Sequence, residues 1–259
     1  MGATVAMANQ KGGVGKTTVT LGLASAAWAA GHRVLVVDLD PQASATWVLG
    51  LDPDEVEMST AEVLAAHRSG SAAKAITPSA WGGDVDLLPS SRRLQALEAD
   101  TGKSAASRLA QALAGVADDY DAVLVDCPPS LGMITTNGLT AAGHALLVVE
   151  PAALGIRGLA AAADAIDQTW EQNNPELDLA GVIVNKVPAV SAEAERQYDD
   201  LARIVGRRAI WQPVVPQRVI VGQAAAEREP VHVYGYRAAA VTDAFDQLWA
   251  RLRRLTRRA

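Results

Sequence analysis

One cysteine, Cys127, stands among 259 residues. A single thiol closes no internal disulfide and cannot supply the paired cysteines of a metal site. Aromatic residues are few, at 4%, while Ala and Val carry most of the 49% that is apolar. That is the composition of helices packed on a buried parallel sheet. No apolar run is long enough to cross a bilayer, and no basic-then-apolar leader opens the chain. Internal repeats and low-complexity linkers are absent too. The expectation is one cytoplasmic domain over residues 1–259.

Charge is unevenly spread. The net charge is −6, yet from Arg203 to Ala259 there are 11 arginines against 4 acidic residues. The last part therefore carries +7 and the first 202 residues −13. A segregated basic end suits a polyanion such as DNA. It equally suits a set of solvated helix faces.

Apolar strand-like runs alternate with helical stretches. Candidate strands are Thr4–Ala8, Arg33–Val37, Asp84–Leu88, Ala122–Val125, Ala145–Glu150 and Leu179–Asn185, with a short one at Ala209–Trp211. Candidate helices are Thr17–Ala30, Ser104–Val116, Ile156–Gln172, Ala192–Val205 and an Arg-rich terminal helix over about 237–259. This alternation predicts an α/β fold, a single domain with a mostly parallel twisted sheet and helices on both faces. Leu51–Trp81 is the least regular stretch and reads as a surface excursion.

Between the first strand and first helix lies Lys11-Gly12-Gly13-Val14-Gly15-Lys16-Thr17-Thr18. Glycines let backbone N–H groups close on phosphate oxygens, and the helix N-terminus adds its dipole. Lys16 reaches the β- and γ-phosphates of a nucleotide, and the Thr17 hydroxyl ligates Mg²⁺. Lys11 is an added cation that its own loop places badly for its own nucleotide. Asp38 and Asp40 end a strand on the same carboxyl edge, where ligands of parallel sheets collect. They face alike if the strand continues; the bland alternative is a helix cap. Val123-Leu124-Val125-Asp126 is an apolar strand ending in a carboxylate, suited to hold Mg²⁺ through water. Asn185, at another strand end, carries an amide able to read adenine. Cys127 reads as a small buried residue.

Lys11–Thr18 resembles the deviant Walker A motif of the ParA/MinD ATPases. Asp38-Leu39-Asp40-Pro41-Gln42 resembles that family's switch I, and Asp126-Cys127-Pro128-Pro129 its switch II. Val215-Pro216-Gln217-Arg218 is similar to its Ile-Pro-Arg-Asn stretch. The resemblance implies that Lys11 crosses an ATP-sandwich homodimer to the partner's phosphates and that Asp40 positions the attacking water. It places Asp38 near the magnesium shell, Asn185 on the base and Pro216 along the adenine. It implies ATP and Mg²⁺ as cofactors and a slow ATPase switch for chromosome or plasmid partition or cargo positioning. It further implies a P-loop NTPase fold, an ATP state that binds DNA non-specifically on the nucleoid, and a ParB-like protein or cargo adaptor that stimulates hydrolysis.

The last part departs from the family. Ile220 stands where relatives carry a DNA-binding arginine, leaving Arg207, Arg208 and Arg218 as candidates. Phe245, Leu248, Trp249, Leu252 and Leu255 recur at helical spacing with Arg251, Arg253, Arg254, Arg257 and Arg258 around them. This terminal helix is read as packed on the sheet. The alternative is a MinD-like ATPase that lays it on a membrane. Electron-transfer or metal-cluster ATPases of the same fold need cysteine pairs, so that class falls.

Overall fold

The structure is a computed structural model that describes residues 3–100, 102 and 104–256. Arg257 and Arg258 lie outside these. The chain runs β1 (Ala3–Ala8), α1 (Lys16–Ala29), β2 (Val34–Asp38), α2 (Ser44–Val48), α3 (Thr60–Ala65), β3 (Thr77–Pro78) and β4 (Val85–Leu88). There follow α4 (Arg108–Leu113), β5 (Ala122–Asp126), α5 (Met133–Ala141), β6 (His144–Val149) and α6 (Ala153–Gln172). The last elements are β7 (Asp178–Val184), α7 (Ala192–Val205), α8 (Val219–Glu227) and α9 (Ala239–Thr256).

The strands form one sheet in the order β3-β4-β2-β5-β1-β6-β7. All neighbours are parallel except β3, which runs antiparallel to β4. Because helices cover both faces, the central strands are near-continuous apolar runs, broken chiefly by Thr4 and His144 and by the terminal Asp38 and Asp126, rather than alternating. On β1, Ala6 and Ala8 face one core while Val5 and Met7 face the other. The first core receives α3 to α7, the second α1, α2, α8 and α9.

The fold class is as expected, with strand ends within a residue or two. Three local expectations are corrected. Residues 51–81 do not form a mere surface excursion: Ser59 and Glu62 make a reciprocal capping box that starts α3. Ala61, Val63 and Leu64 then enter the core, and the chain returns as the antiparallel edge strand β3. The helix expected over Ser104–Val116 is a 3₁₀ turn, Ala105–Ser107, followed by the shorter α4. Ala209–Trp211 contributes one parallel bridge, Ile210 to Val182, and no strand.

The terminal helix packs inward. Phe245, Leu248 and Leu252 are fully buried and Trp249 is 3% exposed. Phe245 sits against α1 at Gly22, where a Cβ would lie 2.2 Å from its ring. The apolar stripe is thus spent inside the protein. Among the described residues no helix is long and apolar enough to cross a membrane.

Candidate functional site

The carboxyl ends of β2, β5, β1, β6 and β7 meet at one edge, and the candidate residues collect there as the sheet order requires. After β1 the chain passes through buried Asn9, which donates Nδ2 to Val148 O at 2.7 Å and accepts the Lys11 amide at 2.9 Å. Gly13 and Gly15 take φ of 81° and 89°, which L side chains rarely adopt. A Cβ on Gly15 would also lie 2.2 Å from Asn185 Nδ2. Lys16 opens α1, with its buried Nζ donating to Asn9 O at 3.1 Å. Burial lowers its pKa against the opposing pull of Asp126. Val14 is buried, and Thr18 lines the cavity beside the loop.

Asp38 and Asp126 are register partners on β2 and β5, and both are completely buried. The Thr17 hydroxyl donates to Asp126 at 2.6 Å, and that of Thr20 lies 3.3 Å from its other oxygen. Burial, then the neighbouring Asp38, pushes Asp126 up to about 8. Asp38 rises to about 6 because burial outweighs the hydrogen bonds from Thr46 and Asp40. Two buried carboxyl groups thus share one buried ammonium, and their ionised forms carry one more negative charge than it offsets. A divalent cation fits this deficit, with the Thr17 hydroxyl and Asp126 as oxygen donors.

The two aspartates of switch I do not face alike, because β2 ends at Asp38 and the chain turns. Asp38 accepts the Asp40 amide at 3.0 Å and both the amide and hydroxyl of Thr46, at 2.8 and 2.7 Å. It therefore holds the start of α2 as well as lying beside Asp126. Asp40 is half-buried and accepts the Gln42 amide at 2.9 Å through one oxygen. Cys127 is 1% exposed, and burial pushes its thiol up to about 12, so it is inert.

Lys11 forms an ion pair with Glu150, just past the end of β6. Both side chains are about a quarter exposed, at 26% and 24%. Asn185 spends its amide donor on Val14 O, at 3.0 Å, rather than leaving it open. Beside it a cavity of about 480 Å³ is lined by Thr17, Thr18, Asn185, Lys186, Val215 and Pro216, among others. Asn9, Glu150 and Lys186 were not singled out from the sequence. Glu150 had the same signal as Asp126, a charged residue closing an apolar run at the carboxyl edge.

The arginines are less free than their number suggests. Arg207 pairs with Asp199 at 3.0 Å, and Arg203 with Asp200. Arg251 lies over the Trp211 ring and Arg228 over Trp47, at 4.6 and 4.4 Å. Arg208 is exposed and has no ion pair among the described residues, and Arg218 donates only to Gln217 O. Ile220 is 9% exposed and packs into the core.

Residues 2–179 match a family model described as an AAA domain. The chromosome partitioning protein ParA of Caulobacter vibrioides is 31% identical over 241 residues, 91% of this chain and 88% of that protein. A Mycobacterium smegmatis structure described as cobyrinic acid a,c-diamide synthase, with bound ADP and magnesium, superimposes with a TM-score of 0.82. It is 31% identical, and the match covers 98% of this chain and 95% of that one. The cell division ATPase MinD of Pyrococcus furiosus has a TM-score of 0.76 at 25% identity, covering 98% of this chain and all of its own.

Proposed function

This chain belongs to the ParA/MinD family of ATPases, and from that premise we propose that it is a Mg-ATP-dependent dimerising switch for DNA partition or cargo positioning. The observation that carries the reading is the contact between Thr17 and Asp126 at 2.6 Å, with Lys16 buried beside it. This is the grouping a magnesium nucleotide needs: a hydroxyl, a carboxylate and a phosphate-binding ammonium around one point.

Thr17 and Asp126 would hold the metal, with Asp38 close by. When bound, the cation would supply positive charge to a nucleotide's phosphates. Gly12, Gly13, Val14 and Gly15 turn their amides toward the phosphates, and Lys16 meets the charge that builds on the γ-phosphate as its bond to the leaving oxygen breaks. Asp40 orients the water that attacks. In this reading turnover by the chain alone is slow, and an adaptor completes the site. Pro216 and the Asn185 strand end border the adenine.

Lys11 serves the dimer. It leaves Glu150 and reaches the partner's phosphates, so dimerisation senses the γ-phosphate. Each subunit of the ATP dimer then contributes Arg207, Arg208 and Arg218, which suits non-specific DNA phosphate contacts. The membrane reading draws little support, since the stripe of α9 is buried. A salt-dependent DNA-binding assay with and without ATP tests the proposal. Binding only with ATP, falling steeply with salt, is expected; binding independent of nucleotide, or to anionic liposomes alone, contradicts it.

A further inference from the structure

The chain leaving β7 grips the phosphate loop with two neighbouring side chains. Asn185 Nδ2 donates to the carbonyl of Val14 at 3.0 Å, and Lys186 Nζ donates to the carbonyl of Gly13. A loop that turns its amides inward to phosphate leaves carbonyls facing outward, and these need partners. In an extended chain adjacent side chains point to opposite sides. Here Lys186 takes φ of 56°, a left-handed conformation uncommon for a residue with a Cβ. That turn lets consecutive residues reach the same loop.

Just beyond, Val187 donates to Val215 O at 3.0 Å and Gln217 donates to Val187 O at 2.8 Å. The strand end is thereby stitched to the 215–217 segment. Lys186 lies between that segment and the phosphate loop and lines the cavity of about 480 Å³ together with Val215 and Pro216. Its ammonium is on the loop, and its four-carbon stem borders the space next to it.

We propose that Lys186 is a nucleotide-positioning residue whose ammonium holds the Gly13 carbonyl while its stem forms one wall of the base cleft. Order in the phosphate loop and occupancy of the cleft are then coupled through one side chain. The inference rests on the ATPase reading of the site. It concerns binding, and no bond-making step involves Lys186.

Two substitutions separate the two jobs: Lys186→Met keeps a long apolar stem without the charge, and Lys186→Ala removes both. Magnesium pyrophosphate and MgADP, titrated calorimetrically, probe the loop without and with a base. Lys186→Met should weaken both ligands alike, by about 10-fold, the effect of losing one charge-assisted hydrogen bond. Lys186→Ala should weaken pyrophosphate equally but ADP by roughly a further 3- to 10-fold, from the lost apolar contact. In the ligand-free protein both variants should speed amide exchange in the peptide spanning Asn9–Thr20. A merely solvated lysine would move none of these.

Variants that bind both ligands like the unsubstituted chain, with unchanged exchange, overturn the inference and leave the ATPase reading standing. Weaker ADP binding with normal pyrophosphate binding overturns the loop-holding half. Equal ADP loss in Met and Ala overturns the wall. Failure of the unsubstituted chain to bind MgADP or MgATP overturns the ATPase reading itself.

Discussion

At the scale of single residues the site is a set of charges that offset one another until a nucleotide arrives. Lys11 is the clearest instance, because its ion pair with Glu150 holds the cation proposed to bridge a dimer. Each ion-paired side chain is partly solvated, so the pair is weak enough to exchange. Glu150→Gln removes the competitor, and dimer formation should then need roughly two- to fivefold less ATP, a modest population shift. Light scattering across an ATP titration checks this, and an unchanged midpoint would count against competition. Asp40→Ala should bind ATP and dimerise but lose nearly all hydrolysis, giving a long-lived ATP dimer. Normal turnover in that variant would remove Asp40 from the mechanism.

Most of these residues were legible in the sequence because their chemistry is local. Glycine beside lysine and threonine between a strand and a helix already implies phosphate, and Asp126 closes an apolar run. Asn9, Glu150 and Lys186 were not, since their roles depend on partners 139 to 173 positions away. The partners of Arg207 and Arg251 are likewise tertiary, so counting charges overstated how many arginines are free.

At the scale of elements, hydrophobic periodicity separated strands from helices wherever runs were long. It failed over 51–81, where α3 is six residues long and β3 two. The Ser59-Thr60-Ala61-Glu62 capping box was the readable signal there. The packing of α9 on α1 turns on Phe245 and Gly22. Phe245→Ala should cost about 3–5 kcal/mol, as for other fully buried aromatic truncations. Chemical denaturation reads this directly, and a loss under about 1 kcal/mol would mean that the stripe of α9 does not anchor the helix. Such an outcome would revive the membrane alternative.

At the scale of the whole molecule, the stability of the fold ties protons to a divalent cation through Asp126. Asp126 titrates far above the ordinary carboxylate range, so its neutral form is favoured in the ion-free fold. The stability this contributes is fully present below about 4, the unfolded value, and is lost as pH rises through about 8. A divalent cation binds the ionised form and competes with the proton. The rise in melting temperature caused by Mg²⁺ with ADP should therefore grow between pH 6 and 8.5. In Asp126→Asn it should be small and flat. A magnesium effect independent of pH in the unsubstituted chain would contradict the carboxylate account.

The phosphate loop is built to bind a nucleotide, and the proposed role of Lys11 is to make dimerisation depend on it. The most direct measurement is sedimentation of Asp40→Ala and of Lys11→Ala/Asp40→Ala with Mg-ATP, where hydrolysis cannot obscure assembly. The account predicts a dimer for the first and a monomer for the second, with both monomeric in ADP. A Lys11→Ala/Asp40→Ala protein that dimerises in ATP as well as Asp40→Ala does would contradict it.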